Sequence, residues 1–402
     1  MKNKLDYIVF ILTLAFTTFE YFFREDRLFL LLAVFAIAVA IYKGFYRQYN
    51  TVMASVFIII LVFWSLIQAT FIPHRLLITT ISLGITMLGT MSIAMIVKDR
   101  FVTIFVTTMY YISIIAIVIY LLCLDPSLQN FFINDLTKNF TSLNVETAVF
   151  EGGGKNFIIH NFAAGDTVLE ATDMLRNCGP FWEPGMFAVF LNIALFLHNV
   201  IERQKLRFCN LILIGALVTT FSTGGFLSGL IILLSYIFSR KNHFISIIFG
   251  IIFVLLAQYL MRLEFVGEKL TDQMTETEIG SDVSRFSAYL TQIEMIKNSP
   301  VLGGENISDY LLYTDTKTLA SGTLLPYVFY GIPVGAFYVI MMLISFIKLA
   351  KSKGRGVDAG VLLFISLLIL SFSQTILLSN WMLVMIFVGM ITKNNKYYGC
   401  KI

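Results

Sequence analysis

The stretch RNCGPFWEPG, residues 176–185, lies where a long hydrophilic loop ends and a new apolar segment begins. Gly179 and Pro180 favour a turn in the chain. Pro184 fits the first turn of a helix, where a proline is tolerated. Glu183 is therefore expected at a helix N-terminus, where the helix dipole favours a negative charge.

Two interpretations of this stretch stay open from its residues alone. In the first, Arg176 and Glu183 form a charged functional site at a membrane surface. In the second, the stretch is only an interfacial helix start, with Trp182 as an aromatic anchor and Arg176 solvated. The choice between them depends on the class of protein to which the stretch belongs.

The composition places the chain in a membrane. It has 402 residues, of which 57% are apolar and only 13% are charged, and its mean hydropathy is +0.81. These values exclude an ordinary soluble domain. The net charge of +4 comes from short Lys and Arg clusters between apolar runs, without a basic stripe, and this excludes nucleic acid as a partner.

The apolar runs predict an all-α integral membrane protein with about twelve transmembrane helices in a single polytopic domain, residues 1–402. The run 207–239 is too long for one span, and Ser222–Gly225 divides it into two short helices, a re-entrant hairpin being the alternative. The predicted spans are 5–22, 27–43, 52–72, 75–97, 101–124, 184–201, the two halves of 207–239, 243–262, 323–347, 357–378 and 380–393.

The distribution of Lys and Arg predicts the orientation. Short connections on one side of the predicted spans carry most of the basic residues, and such connections are cytoplasmic. Both termini are therefore expected in the cytoplasm. Two long loops, 125–182 and 263–322, are expected to be extracytoplasmic.

The second outer loop contains a predicted amphipathic helix at 282–299. Ser281 or Asp282 fits its start, and Pro300 follows its end. We expect this helix to lie on the membrane with its apolar face down, which places Arg285 at headgroup depth; a snorkelling arginine is the alternative. The apolar residues that recur at helical spacing are Phe286, Tyr289, Leu290, Ile293 and Ile296.

The sequence predicts no metal and no cofactor. Its four cysteines and four histidines are scattered without ligand spacing. The run 152–155, Gly-Gly-Gly-Lys, lacks the full spacing of a nucleotide-binding loop. The predicted spans are nearly free of charged residues, which disfavours an ion-coupled transporter.

The remaining chemistry lies on the two outer loops. Arg176 and Arg285 each lie on one of the two long loops, beside a predicted membrane boundary. The planar guanidinium of arginine suits phosphate oxygens better than the ammonium of lysine does. A lipid-linked pyrophosphate presents such oxygens at headgroup depth. Glu183 is the nearest candidate for a general base or for orienting an acceptor.

Three motifs carry a family resemblance: Arg176-x-x-Gly179-x-Phe181-x-Glu183-Pro184-Gly185, the turn Thr220–Gly225, and Ser284-Arg285 leading into Lys297–Gly303. With the layout of spans and loops, they resemble the Wzy-type polymerases of O-antigen and capsular polysaccharide, which are relatives of the O-antigen ligases. The resemblance covers most of the chain from about residue 176 onward; before that it rests on the hydropathy pattern.

The resemblance implies a metal-independent glycosyltransferase at the outer face of the bacterial inner membrane. Such an enzyme transfers a growing glycan from undecaprenyl pyrophosphate to the incoming lipid-linked repeat unit. The implied partners are this lipid-linked oligosaccharide, membrane lipid, a chain-length regulator and a flippase. The implied catalytic residues are Arg176, Arg285 and Glu183, and the implied substrate-binding residues are Trp182, Tyr289, Gly179, Pro184 and Gly185.

Two other functions remain as alternatives. An O-antigen ligase is disfavoured because this chain has Thr223 where ligases have a basic residue and Ser321-Gly322-Thr323 where they have a His-Asn pair. A flippase or exporter of lipid-linked glycans would be expected to have charged residues inside its spans and short outer loops, the opposite of what the sequence shows.

Overall fold

The computed structural model describes residues 2–22, 26–72, 77–136, 156–162, 168–169, 174–202, 208–229, 285–304 and 321–392. The chain forms two compact units. Unit 1 contains Met1–Phe29 and Arg100–Tyr259, and unit 2 contains Leu30–Asp99 and Leu260–Ile402.

Unit 1 is a helical core with two short hairpins in the segment between α7 and α8. Strand β1 pairs with β2, and β3 pairs with β4, both in antiparallel fashion. The elements are α1 Lys2–Thr18, α6 Phe101–Leu122, α7 Pro126–Asn130, β1 Asn156–Phe157, β2 His160–Asn161, β3 Val168–Leu169, β4 Met174–Leu175, α8 Pro184–Phe196 and α9 Phe208–Thr219.

Helix α8 is the centre of unit 1. Every residue from Met186 to Phe196 is buried, and a helix that is apolar and buried all round belongs in the middle of a core. Helix α6 packs on α8 with Phe105 against Phe190, whose ring centroids are 6.2 Å apart. Helix α1 packs on α6 through Phe10, which lies 5.8 Å from the ring of Phe101.

Unit 2 is built from eight described α-helices. They are α2 Asp26–Tyr42, most of which belongs to this unit, α3 Phe45–Gln48, α4 Val52–Phe71, α5 Leu77–Val97, α10 Arg285–Asn298, α11 Leu325–Ser352, α12 Val357–Ser373 and α13 Asn380–Ile391, α3 being a single turn.

Helix α13 is the centre of unit 2, since every residue from Trp381 to Ile391 is buried. Its Phe387 lies edge-to-face on Phe57 of α4, with 5.9 Å between ring centroids. Gly389 lies directly against Ser345 of α11, so a side chain does not fit there. Small residues at such crossings let membrane helices approach closely.

Helix α11 is broken at Gly331, which has a φ of +72° inside the helix. The break receives the segment that follows α10: Ile332 N donates to Pro300 O at 2.8 Å, and Gly304 N donates to Val328 O at 2.8 Å. The Gln68 side chain of α4 joins the two parts, because its Nε2 donates to Phe329 O at 2.7 Å and also to Leu302 O. The end of α10 is thereby fixed to the interior of α11.

Several elements agree with the sequence. By length and composition, four helical segments of the described residues can cross a membrane: Val52–Phe71, Leu77–Leu122, Pro184–Ile201 and Leu325–Ser352. Shorter apolar helices lie at Arg27–Tyr42, Phe208–Thr219, Val357–Ser373 and Asn380–Ile391. The total of about twelve spans, their orientation and the single membrane domain stay predictions, and the predicted span 243–262 lies outside the described residues.

Candidate functional site

The segment 175–178 is packed inside unit 1. Leu175, Arg176, Asn177 and Cys178 are all buried, with Arg176 only 8% exposed. Arg176 is therefore not solvated, and this part of the second interpretation is wrong. The long hydrophilic loop ends in a segment that belongs to the core of the unit.

The Arg176 guanidinium lies at the C-terminal end of α9. Its Nε donates to Thr220 O at 3.2 Å, and its Nη2 donates to Phe221 O at 3.4 Å. The last carbonyls of a helix lack partners within the helix and carry partial negative charge, so a cation is stabilised there. Arg176 thus satisfies two carbonyls that the end of α9 leaves open.

Asn177 extends the same contact. Its backbone N donates to Thr219 O at 2.9 Å, and its Nδ2 donates to Thr219 Oγ1 at 2.9 Å. Two sequence motifs that lie far apart in the chain, the one beginning at Arg176 and the one beginning at Thr220, are therefore hydrogen-bonded neighbours.

The run 207–239 is broken, as predicted, but at Thr220–Ser222 instead of Ser222–Gly225. Phe221 adopts a φ of +46°, which ends α9, and residues 223–229 form the next helix. Ser222 caps that helix, since its Oγ accepts from Gly225 N at 3.2 Å. Gly225 lies directly against Ala188 of α8 with no room for a side chain, which places the break beside the central helix.

The predicted helix start at Glu183 and Pro184 is also confirmed. Glu183 is the extended residue that precedes α8, and Pro184 occupies the first helical position. The Glu183 side chain is half-buried and does not cap the helix. Trp182 and Gly185, on either side, are half-buried as well.

Gly179 forms the turn before α8. Its φ is +53°, and an added Cβ would lie 3.2 Å from the ring of Phe187, so both conformation and space favour glycine. Phe181 then stacks on the rings of Phe187 and Phe190, at 5.4 and 4.8 Å between centroids. This packing fixes the turn on the first turns of α8.

Asn161 of β2 is a residue that the sequence did not indicate. Its backbone N donates to Gly179 O at 2.7 Å, and its Nδ2 donates to Phe181 O at 3.0 Å and to Trp182 O at 3.1 Å. The side chain is buried. An asparagine in a polar loop carries no local signal for such a role, because its partners are about twenty residues away in sequence.

His160, next to Asn161, is buried against the ring of Phe162, with 4.6 Å between centroids. Burial lowers the pKa of His160 to about 3, because the charged imidazolium is not solvated there. The hairpin that holds the turn is thus built around a neutral histidine.

The second predicted arginine belongs to unit 2. Arg285 is the first residue of α10, which confirms the predicted helix, but its side chain lies outside the described part of the structure. Tyr289 is half-buried, with its ring 5.6 Å from that of Phe372. Arg176 and Arg285 lie in different units, so their joint action stays a prediction.

Helix α10 packs with a different face from the predicted apolar one. Its buried residues are Thr291, Gln292 and Met295. Among the described side chains of the predicted apolar face, Tyr289, Leu290, Ile293 and Ile296 are half-buried. The placement of this face on a membrane stays a prediction.

The segment Ser321-Gly322-Thr323 is tightly packed in unit 2. Gln292 Nε2 of α10 donates to Ser321 O at 2.6 Å, and Gly322 N donates to Ser371 O at 2.7 Å. A Cβ at Gly322 would overlap the carbonyl of Gln374, so this backbone admits no side chain there.

No family model, characterised protein or solved structure matches this chain.

Proposed function

We propose that this protein is a polysaccharide polymerase of the bacterial inner membrane, a metal-independent glycosyltransferase that uses lipid-pyrophosphate-linked repeat units. The observation that carries the proposal is the contact of Arg176 and Asn177 with Thr219–Phe221. Two of the three motifs on which the resemblance rests thereby form one cluster. A functional site built from several motifs requires that they meet.

Arg176 is proposed to bind the pyrophosphate of the donor. Two of its described partners, Thr220 O and Phe221 O, are backbone carbonyls, and these contacts orient the guanidinium at the end of α9. A preoriented cation in a buried place stabilises charge that develops on a leaving group more strongly than a solvated one does.

Glu183 is proposed as the general base. The acceptor hydroxyl oxygen attacks the anomeric carbon of the donor sugar, its proton passes to the Glu183 carboxylate, and the bond from that carbon to the pyrophosphate oxygen breaks. The lipid pyrophosphate leaves with the electron pair, bound by Arg176. The half-buried Glu183 side chain, which does not cap α8, suits this role.

The packing at Gly322 favours a polymerase over a ligase. The resemblance places the His-Asn pair of ligases at Ser321–Thr323, and Gly322 lies against the Gln374 carbonyl with no room for a side chain. Thr323 Oγ1 and Ser371 Oγ lie 3.1 Å apart, a hydrogen bond that a larger residue at either position would remove.

The experiment is an assay of purified protein with a synthetic lipid-linked repeat unit, with the products resolved by size. Polymer formation supports the proposal, and its absence overturns it. A deletion strain provides the second test. Loss of a polymerase leaves single repeats at the surface, loss of a ligase leaves long chains on the carrier lipid, and loss of a flippase traps lipid-linked single repeats on the cytoplasmic side of the membrane. Long chains stranded on the carrier would contradict the assignment.

A further inference from the structure

All five successive carbonyls of the backbone from Gly179 to Glu183 accept a described hydrogen bond. Three of the five come from Asn161, through its backbone N and its side-chain Nδ2. The carbonyls and their donors are Gly179 O with Asn161 N, Pro180 O with Glu20 N, Phe181 O and Trp182 O with Asn161 Nδ2, and Glu183 O with Phe187 N.

We propose that Asn161 is a positioning residue for the transfer reaction, fixing the turn 179–182 so that the Glu183 carboxylate is held at the acceptor hydroxyl. The inference rests on the proposed function. Asn161 does not itself touch the reacting atoms in this proposal; it acts through the backbone that carries Trp182 and Glu183.

The chemistry of the amide fits this role. The Asn161 NH₂ group has two hydrogens, and each has its own carbonyl acceptor, Phe181 O at 3.0 Å and Trp182 O at 3.1 Å. The residue is 2% exposed, so water does not compete for these acceptors. Two peptide planes next to Glu183 are thus fixed by one side chain.

A purely structural role is the alternative, and the chain offers a matched control for it. Asn192, in the middle of α8, also uses its Nδ2 to donate to two carbonyls, Ala188 O and Gly225 O, both at 2.9 Å. It is fully buried in the same unit. Like Asn161→Ala, the substitution Asn192→Ala removes two hydrogen bonds from a side-chain amide to backbone carbonyls, but it does so outside the turn 179–182.

The test compares Asn161→Ala, Asn161→Asp and Asn192→Ala in the purified full-length protein. We expect Asn161→Ala to lower kcat by about 10- to 100-fold with little change in the donor KM, because small displacements of a catalytic group have effects of this size. We expect Asn192→Ala to lower thermal stability while kcat stays close to the wild-type value. Equal kcat losses in the two alanine variants would overturn the inference.

Asn161→Asp adds a signature that a generic loss of stability does not produce. The new carboxylate only accepts hydrogen bonds and repels both carbonyls, whereas its protonated form regains one donor. The activity of Asn161→Asp relative to Asn161→Ala should therefore rise as the pH falls. A ratio that does not change with pH counts against the inference.

Hydrogen exchange separates this inference from the proposed function. In Asn161→Ala, backbone amides of 179–187 should exchange faster than in the wild type, and in Asn192→Ala they should not. If the wild type makes no polymer, the proposed function fails, and the exchange result still decides whether Asn161 orders the turn. Unchanged exchange in Asn161→Ala would overturn the ordering itself.

Discussion

Each unit contains a helix that breaks inside the chain's apolar region, and the two breaks are filled differently. In unit 1 the break at Thr220–Ser222 receives the charged side chain of Arg176, beside the side chain and backbone N of Asn177. In unit 2 the break at Gly331 receives only neutral described groups: the carbonyl of Pro300, the amide of Gly304 and the side-chain amide of Gln68. A charged side chain at a break can stabilise the fold and also bind a ligand. Neutral backbone groups at a break stabilise the fold only.

The difference also separates the two arginines. Arg176 is itself part of the contact that fills its break. Arg285 begins α10, and it is the other end of this helix that leads into the break at Gly331. Substitution of Arg176 is therefore expected to alter both stability and activity.

The largest expected effect comes from adding a methyl group in the unit 2 break. Gly331 has a φ of +72°, and its Cβ would overlap the Val301 carbonyl. Gly44 has a φ of +66° with nothing within 4 Å of an added Cβ. We expect Gly331→Ala to destabilise the protein by more than about 4 kcal/mol and Gly44→Ala by about 1–2 kcal/mol, from the left-handed strain alone.

These losses are measured by thermal unfolding of the detergent-solubilised protein. The amount of membrane-inserted protein is compared between the same variants. Equal shifts for Gly331→Ala and Gly44→Ala would show that the close approach in unit 2 contributes nothing. Hydrogen exchange would show whether the loss starts in unit 2, where the break predicts it.

The second effect tests the dual role of Arg176. We expect Arg176→Ala and Arg285→Ala each to abolish detectable polymer, through a loss of about 2–4 kcal/mol of transition-state stabilisation. Arg176→Ala should also lower the free energy of unfolding by about 1–3 kcal/mol, since two carbonyls lose a charged donor. Lysine should rescue either arginine poorly because it lacks the planar fork.

Polymer length and thermal unfolding, measured on the same preparations, distinguish the two arginines. Near-normal polymer in both alanine variants would show that neither binds the leaving group. An unchanged unfolding temperature in Arg176→Ala would contradict its role at the end of α9.

Local features of the fold were predictable from the sequence because their signals are local. Helix α4 begins where the apolar run begins, α8 starts at Pro184 as the proline position predicts, and α10 follows its three- and four-residue spacing. The turn residues of Ser222–Gly225 indicated a break near the end of α9, although the structure has it at Thr220–Ser222, with Thr223–Gly225 already in the next helix. Each of these depends on neighbouring residues only.

The contacts that build the site were not predictable in the same way. Arg176 meets Thr220 across 44 positions of the chain, and Asn161 meets Phe181 across 20. No periodicity encodes such pairs. The break in α11 had a local signal, Gly331 close to Pro333, but membrane helices tolerate both residues without breaking, so the predicted span 323–347 treated them as helical.

A third, intermediate effect is a pH dependence of the stability of unit 1. The pKa of His160 is lowered by burial to about 3, below the value of about 6.5 for an unfolded chain. The unfolded state therefore binds a proton first as the pH falls, and stability is lost between about pH 6.5 and pH 3. The β1–β2 hairpin, and with it the turn that Asn161 holds, should open on acidification.

Hydrogen exchange at several pH values, corrected for the intrinsic rate, measures this opening. In His160→Phe, which keeps an aromatic ring against Phe162 and does not titrate, protection of 156–162 should be independent of pH. The segment 300–304 of unit 2 is the internal reference. A pH-dependent opening that persists in His160→Phe would assign the effect to another group.

The smallest effect tests whether the contact across the unit 1 break can be weakened alone. Thr219→Val keeps the shape of the side chain but removes the acceptor of Asn177 Nδ2, at 2.9 Å, while the backbone bond from Asn177 N to Thr219 O remains. Thr220→Val is the matched control, because the described bonds of Thr220 Oγ1 are local, to Leu217 O and from Ser222 N. Each should cost about 1 kcal/mol of stability. Only Thr219→Val should increase amide exchange at 176–178, since only its lost partner lies on that segment; equal exchange in both variants would mean that the segment is held by Arg176 and backbone alone.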